Sequence, residues 1–166
     1  MILAIDVHYR LNFAKSVGVV FQRNSEEIID TFIVYVDKVQ AYESGKFYKR
    51  ELPCVLELLR QVDLNQIDII IIDGYVYIDN KHTNGLGAYL YFALEKEIPI
   101  IGVAKNTLKN NHKTVVEVYR GESKKPLFVS SVGMDIDKAV KIIKKMNGAY
   151  RIPIMLKNVD RLTKKD

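Results

Sequence analysis

Ile67-Asp68-Ile69-Ile70-Ile71-Ile72-Asp73-Gly74 is the stretch of sequence that decides the fold. Its four successive isoleucines do not alternate with polar residues, and such a run is typical of a strand that is covered on both faces of a layered α/β sheet. Asp73 therefore stands at the carboxyl end of a central strand, where α/β sheets usually carry their functional groups. Gly74 lets the backbone turn there and lets another group approach closely. A simple strand-ending turn without chemical role explains the same Asp-Gly pair.

The length and the composition limit what can surround this strand. The chain has 166 residues, of which 48% are hydrophobic, and only four prolines. These values predict a single globular domain over residues 1–166 with a sizeable core. The formal net charge of +5 at pH 7 favours an anionic partner. Nucleic acid is compatible with this charge, although the charge alone does not require it.

The single cysteine and the start of the chain bear on the cellular compartment. Cys54 excludes an internal disulfide and a multi-cysteine metal site, and its apolar neighbours predict a buried thiol. Residues 1–6 reach a carboxylate at Asp6 too early for a signal peptide or a membrane span. We therefore expect a soluble protein of the reducing cytoplasm that does not bind membranes. No pattern in the sequence indicates an obligate protein partner.

Three β-rich runs open the chain, over residues 2–7, 14–22 and 28–36. Short polar turns join them, which predicts an antiparallel meander. Asp6 interrupts the first, otherwise apolar run, and a carboxylate there is unfavourable to bury unless something pairs with it. A meander followed by β-α-β-α crossovers resembles the ribonuclease H-like architecture, in which acids on the first and fourth strands meet at one edge of the sheet.

A helix precedes the central strand. Pro53 suits a first helical turn, so we predict that the helix begins near Leu52. Glu51 then lies at the N-terminal end of the helix, where its charge can complement the helix dipole without any other role. The apolar residues that share one face of this helix are Leu52, Val55, Leu56 and Leu59.

Helical and apolar segments alternate downstream of Gly74. One predicted strand ends at Lys105, beside the strand that carries Asp73. A solvated lysine explains this position, and so does a lysine with a functional role. The predicted elements are a loop (75–84), a helix (85–96), a strand (98–104), a hairpin (115–119 with 127–131) and an amphipathic helix with a basic outer face (136–146).

A series of short motifs extends over nearly the whole chain. The motifs are Asp6-Val7-x-Tyr9, Gly45-x-Phe47-x-x-Arg50-Glu51, Asp73-Gly74, Gly85-Leu86, Gly102-Val103-Ala104-Lys105, Val129-Ser130 with Gly133, and Tyr150-Arg151-x-Pro153. An isolated Arg-Glu or Asp-Gly pair is common and carries no weight. In their order and spacing, however, the motifs together resemble endonuclease V, and the chain is similar to a divergent, short member of that family.

Endonuclease V is a ribonuclease H-like, metal-dependent nuclease that recognises inosine and hydrolyses one phosphodiester on its 3′ side. The resemblance implies a three-layer α/β domain: a mixed sheet, whose first three strands are antiparallel, with flanking helices. It implies Mg²⁺ as cofactor, with Mn²⁺ able to substitute, and DNA or RNA as partner. Clustered carboxylates suit this chemistry, because hard oxygen ligands leave coordination positions of Mg²⁺ open to water and phosphate.

The resemblance also implies roles for individual residues. The carboxylates would bind metal and take part in catalysis, a lysine would contribute positive charge at the reacting phosphate, and small residues would let backbone amides approach a flipped base. The implied catalytic residues are Asp6, Glu51, Asp73 and Lys105, of which the three acids are the metal ligands, and the implied substrate-binding residues are Tyr42, Gly45, Gly74, Ala104 and Leu108.

Three positions depart from the family pattern. The wedge segment Ala41-Tyr42-Glu43-Ser44 keeps the aromatic residue of the family's Pro-Tyr-Ile-Pro but lacks both prolines. Val76 stands where the family usually has a second glycine, and we expect its branched side chain to hold the base away from the backbone. Met134 stands where the resemblance places a metal-holding histidine, with Asp135 or Asp137 as nearby oxygen donors.

These departures leave alternatives open. The chain can be a metal-dependent endonuclease of the endonuclease V type with reduced discrimination between inosine and adenine. It can also be a catalytically weak or inactive nucleic-acid-binding relative, or a ribonuclease H-like nuclease of different substrate specificity. The presence of the three acids and of Lys105 favours an enzyme.

Overall fold

A computed structural model describes all residues, 1–166, and contains seven strands and four α-helices. A short 3₁₀ turn, Leu64–Gln66, leads into the fourth strand. In chain order the elements are β1 (Ile2–Tyr9), β2 (Phe13–Phe21), β3 (Asp30–Asp37), α1 (Phe47–Leu59), β4 (Ile69–Asp73), α2 (Leu86–Ala93), β5 (Ile100–Ala104), β6 (Val116–Val118), β7 (Leu127–Val132), α3 (Ile136–Lys145) and α4 (Ile154–Lys164).

The strands form one mixed sheet in the order β3-β2-β1-β4-β5-β7-β6. β1, β2 and β3 pair as an antiparallel meander, which confirms the prediction for the first three strands. β4 lies parallel to β1 on one side and to β5 on the other. β7 pairs antiparallel with both β5 and β6. β4 is therefore an interior strand, as its run of isoleucines predicted.

The two faces of β4 contribute to two separate core clusters. Ile69 and Ile71 pack on the side that carries α3 and α4, and Ile70 and Ile72 on the side that carries α1 and α2. All four isoleucines are buried, and complete burial of each side chain is worth roughly 1.5–3 kcal/mol. The arrangement is the predicted three-layer ribonuclease H-like fold.

Two helix boundaries differ from the predicted ones by three residues or more. α1 begins at Phe47 rather than near Leu52, so that Pro53 lies inside the helix. The ring of Tyr48 stacks on Tyr89 of α2 at 4.0 Å, a contact that supports the additional turn. α2 ends at Ala93 instead of residue 96 because the next residues include Glu95 and Lys96, which both have positive φ.

α4 was not predicted. It packs against β1 and β2 through one buried face that includes Met155 and Val159. Cys54 is a buried free thiol, as predicted. None of the four helices has the length and apolar character needed to cross a bilayer.

Candidate active site

The register of the sheet brings the two aspartates together. Ile5 of β1 is paired with Ile72 of β4, so Asp6 and Asp73 follow at the same level on adjacent parallel strands. Both carboxylates line one cleft at the carboxyl edge of the sheet, together with Lys105 from the end of β5. The Lys105 Nζ lies 3.7 Å from Asp73 Oδ2. The residues that resemblance assigned to different motifs are thus neighbours in space.

Glu51 approaches the same region from α1. It lies in the second turn of the helix rather than at its start, and its side chain is only 3% exposed. The Tyr9 hydroxyl donates a hydrogen bond of 3.2 Å to Glu51 Oε2. The Arg50 guanidinium lies 3.6 Å from the centre of the Tyr9 ring and so holds that ring in place. Tyr9 therefore orients the Glu51 carboxylate.

Burial and mutual repulsion raise the pKa values of these acids. Burial, and after it the neighbouring charge of Asp73, raise the pKa of Asp6 to about 7. The backbone N–H of Val7 donates a hydrogen bond of 2.9 Å to Asp6 Oδ1, which opposes this increase. Burial also raises the pKa of Glu51, and the charges of Asp6 and Asp73 raise it further. Burial raises the pKa of Asp73, against the effect of Lys105. The three acids are electrostatic neighbours.

Asp160 of α4 is a fourth carboxylate of the same cleft. Its charge raises the pKa values of Asp6 and Asp73, after the effect of burial. Motif comparison missed it because α4 was not recognised. A signal was present: Met155 and Val159 are spaced by four residues on the buried face, and reading this helical period onward from Pro153 would have placed Asp160 on a structured helix.

Arg151 explains one motif that sequence alone left without a role. Its guanidinium donates to the carbonyl oxygen of Pro126 at 2.8 Å and also to that of Lys105. These hydrogen bonds connect the segment before α4 with the end of β5. The motif Tyr150-Arg151-x-Pro153 thus positions the backbone that carries Lys105.

Val76 does not have the position expected from the sequence. Its side chain is completely buried and contacts α2, where a Cβ added to Gly87 would lie 2.7 Å from Val76 Cγ2. Its N–H donates 3.1 Å to Ser130 Oγ. The prediction that Val76 obstructs a bound base is therefore wrong, because its side chain points into the interior.

Met134 and the two aspartates after it lie outside the cleft. Met134 packs against the core on the α3 and α4 side. Asp135 caps α3, because its Oδ1 accepts a hydrogen bond of 3.0 Å from the N–H of Asp137. The proposal that Asp135 or Asp137 substitutes for a metal-holding histidine is therefore not supported, and Asp160 is the additional carboxylate at the site.

The implied substrate-binding residues are distributed around this edge. Gly45 and Gly74 have φ of +75° and +142°, and a Cβ added to either would meet nothing within 4 Å, so both residues leave open space where a side chain would stand. Ala104 is buried at the end of β5. Tyr42, in the loop before α1, is 60% exposed, and Leu108 borders a neighbouring cleft with His112 and Phe128 as well as other residues.

The donor set at the cleft matches a hard divalent cation. Asp6, Glu51, Asp73 and Asp160 offer oxygen atoms only, the ligand type that Mg²⁺ prefers. Two of the acids are buried and mutually repulsive, which positive charge would relieve. No three His, Cys, Asp or Glu side chains already lie at the separations of a complete metal site. The chemistry of the donors fits, while their oxygen atoms are not yet at ligand distances.

A mixed sheet of this topology, with Asp6 of β1 and Asp73 of β4 side by side on adjacent parallel strands, has the ribonuclease H-like architecture. The family model "Endonuclease V" matches residues 1–122, and the endonuclease V of Clostridium acetobutylicum is 31% identical over 97% of this chain and 79% of its own length. The Pyrococcus horikoshii endonuclease V is 26% identical over 98% of this chain and 72% of its own. The chain therefore belongs to the endonuclease V family.

Solved structures agree with this assignment at the level of the fold. The endonuclease V of Ciona intestinalis, crystallised with DNA containing an inosine followed by a ribo-adenosine, has a TM-score of 0.81 at 20% identity, covering 98% of this chain and 83% of that one. The Bacillus subtilis endonuclease V gives 0.80 at 21% identity, covering 98% and 78%. The matched stretch of the family model ends before α3, so Asp160 lies beyond it.

Proposed function

We propose that this chain is a divalent-metal-dependent endonuclease that hydrolyses a phosphodiester near inosine in DNA or RNA. The observation that carries the proposal is the convergence of Asp6, Asp73 and Asp160 with Lys105 on one cleft. Family membership supplies the reaction class. The inosine-containing DNA bound by the Ciona intestinalis relative supports the choice of substrate.

The carboxylates are the proposed metal ligands. Asp6, Glu51 and Asp73 would hold Mg²⁺ or Mn²⁺, with Asp160 as a further oxygen donor from α4. When bound, such an ion supplies Lewis acidity for phosphodiester hydrolysis and acidifies water. Tyr9 keeps the buried Glu51 carboxylate oriented through its hydrogen bond, so that the residue does not have to be organised during the reaction.

Lys105 is proposed to contact the reacting phosphate. Its ammonium group stands at the mouth of the cleft, about one-third exposed, with Asp73 as its partner at 3.7 Å. A lysine has three N–H donors, so this loose contact leaves donors free for phosphate oxygens. Its positive charge opposes the negative charge that develops during hydrolysis.

Base recognition is proposed to depend on open backbone rather than on side chains. The space at the Cβ positions of Gly45 and Gly74 is open. The N–H of Gly74 already donates a hydrogen bond of 3.1 Å to the carbonyl oxygen of Val103, so Gly74 would leave room for the edge of a flipped base and Gly45 would offer the amide that the base approaches. Tyr42 would separate neighbouring bases, and Ala104 and Leu108 would border the base. Because Val76 is buried, the sequence-based argument for weak discrimination loses its main support. If adenine enters in place of inosine, each polar group of the protein that is left buried without a partner costs about 1–3 kcal/mol of binding free energy.

The test is a cleavage assay on matched oligonucleotides with inosine or adenine at one position, as single- and double-stranded DNA and RNA. Reactions contain Mg²⁺, Mn²⁺ or EDTA. We expect a cut near inosine that needs the cation and is lost in Asp6→Asn and Asp73→Asn, while the exposed Glu122→Gln control retains it. Equal cleavage at adenine would indicate a nuclease of different specificity. Binding without cleavage would indicate a non-catalytic relative.

A further inference from the structure

Lys164 lies beside the cleft but belongs to no motif. It is the last residue of α4, one helical turn after Asp160, and its Nζ lies 3.0 Å from Asp160 Oδ2. Asp160 in turn lines the cleft with Asp6, Asp73 and Lys105. The cleft is therefore flanked by two ammonium groups, each held by a different carboxylate. Lys105 comes from the sheet and Lys164 from the helix that packs on it.

The end of α4 is fastened to the first hairpin of the sheet. Lys15 of β2 is only 5% exposed, and its Nζ donates 2.7 Å to the carbonyl oxygen of Lys165. Arg10, in the turn between β1 and β2, donates 3.1 Å to the carbonyl oxygen of Lys164 and pairs with Asp166. Helix ends commonly fray, but these bonds hold the backbone of Lys164 at a fixed place.

We propose that Lys164 binds a phosphate group of the nucleic acid strand that occupies the cleft, on the side opposite Lys105. The inference rests on the proposed function, since it requires nucleic acid at this edge of the sheet. The Lys164 side chain is 57% exposed, and Asp160 uses one of its three N–H donors. Two donors remain free to meet phosphate oxygens.

An ordinary surface ion pair is the alternative for Lys164 and Asp160. An exposed i,i+4 pair contributes about 0.3–0.5 kcal/mol and has no further role. The chain contains a comparable exposed pair, spaced i,i+3, in Arg60 and Glu57, which lie 3.3 Å apart at the C-terminal end of α1. Because Glu51 enters the site from the first half of α1, this end of the helix lies at the opposite edge of the sheet. Arg60→Gln is therefore a matched control that removes the same charge from a similar pair.

The experiment measures binding of a fluorescein-labelled, inosine-containing single-stranded DNA by anisotropy over a range of salt concentrations. Ca²⁺ replaces Mg²⁺, and a gel verifies that the strand stays intact. Loss of one phosphate contact lowers the slope of log K against log salt by about 0.7 for single-stranded DNA. We expect this decrease for Lys164→Gln, wild-type behaviour for Arg60→Gln, and a preserved slope for Lys164→Arg.

A second comparison separates phosphate binding from simple neutralisation of Asp160. If Lys164 only screens that carboxylate, the double variant Asp160→Asn/Lys164→Gln has the same salt slope as the single variant Asp160→Asn, and the proposal is overturned. If Lys164 contacts phosphate, the salt slope of the double variant is smaller than that of Asp160→Asn. An equal decrease in Arg60→Gln, or no binding by the wild-type protein, also overturns the proposal.

Failure of this inference can be told apart from failure of the proposed function. If the wild-type protein cleaves near inosine but Lys164→Gln leaves the salt slope unchanged, the proposed function stands and the role of Lys164 is excluded. If the protein binds with the expected slopes but does not cleave, the role of Lys164 stands and the hydrolytic function is excluded.

Discussion

Asp6 is a carboxylate that the fold buries with a backbone N–H, not a cation, as its hydrogen-bond donor. It is 8% exposed, and the hydrogen bond of 2.9 Å that it accepts comes from the next residue, Val7. Burial and the charge of Asp73 raise its pKa to about 7. The folded, metal-free protein therefore holds a proton on Asp6 at pH values where the unfolded chain, with a pKa near 3.8, has lost it.

The first prediction concerns the pH dependence of stability without metal. Between pH 4 and pH 7 the folded state binds more protons than the unfolded state, so the free energy of unfolding decreases as the pH rises and levels off above about pH 7. The contribution of Asp6 reaches at most about 4 kcal/mol. Urea unfolding in EDTA should show a smaller decrease for Asp6→Asn and the wild-type decrease for Glu122→Gln. Equal slopes in all three proteins would contradict the assignment.

The second prediction concerns Gly102 of β5. An added Cβ would lie 2.6 Å from the carbonyl oxygen of Gly74 and 2.7 Å from Ser130 Oγ, so Gly102→Ala must displace the backbone just after Asp73. We expect a loss of about 1–3 kcal/mol in the free energy of unfolding. Gly18→Ala is the control, because there the added Cβ meets the flexible end of Leu58 at 2.9 Å. A smaller loss at Gly102 than at Gly18 would refute the prediction.

At the scale of elements, Arg120 determines how α4 follows α3. It is buried, and its guanidinium donates to the carbonyl oxygens of Tyr150 at 2.7 Å, Gly148 at 3.2 Å and Arg151 at 3.3 Å, and also to that of Met146. These carbonyls belong to the connection between the two helices. Arg120 thus replaces backbone pairing in a connection that has no regular structure.

The third prediction is that Arg120→Lys destabilises the protein by about 2–4 kcal/mol, because one ammonium group cannot reproduce the planar fork and leaves carbonyls buried without donors. Chemical denaturation measures this effect. Arg161→Lys, an exposed substitution on α4, should stay within about 0.5 kcal/mol of wild type. A tolerated Arg120→Lys would mean that water satisfies the connection equally well.

The elements themselves show why some were predictable. β4 has one pattern, four isoleucines in succession, and burial on both faces is the one arrangement that suits it. α1 carries conflicting signals, since Pro53 predicts a helix start but the stacking of Tyr48 on Tyr89 stabilises an earlier turn. That contact joins residues 41 positions apart, which local periodicity does not detect.

At the scale of the whole molecule, the candidate site joins distant parts of the chain. Asp6, Asp73 and Lys105 could be predicted to meet, because parallel strands end at the same edge of a sheet. The approach of Asp160 to this site could not be predicted, because it depends on how α4 docks on β1 and β2. Contacts such as that between Lys15 and Lys165 hold this docking in place. The interior position of Val76 was likewise invisible, since a loop sequence does not show which way a side chain points.

The fourth prediction is that divalent cations stabilise the fold. A ligand at a hundredfold excess over its dissociation constant adds about 2.7 kcal/mol, which corresponds to roughly 5–10 °C in melting temperature for a chain of this size. Mg²⁺ or Mn²⁺ should produce such an increase in the wild-type protein and in Glu122→Gln, but little in Asp73→Asn. An unchanged melting temperature in the wild-type protein would argue against a metal site formed by these carboxylates.

The docking of α4 has a consequence for the newly synthesised protein. Ribosomes release a chain from its N-terminus, so the strands that carry Asp6, Asp73 and Lys105 emerge well before residues 154–164. Until that helix leaves the exit tunnel and is captured by Arg10 and Lys15, the cleft lacks one carboxylate and one wall. A partly translated chain therefore has the strands of the cleft before it has the helix that completes it, and the cleft is closed on this side only after synthesis has passed α4.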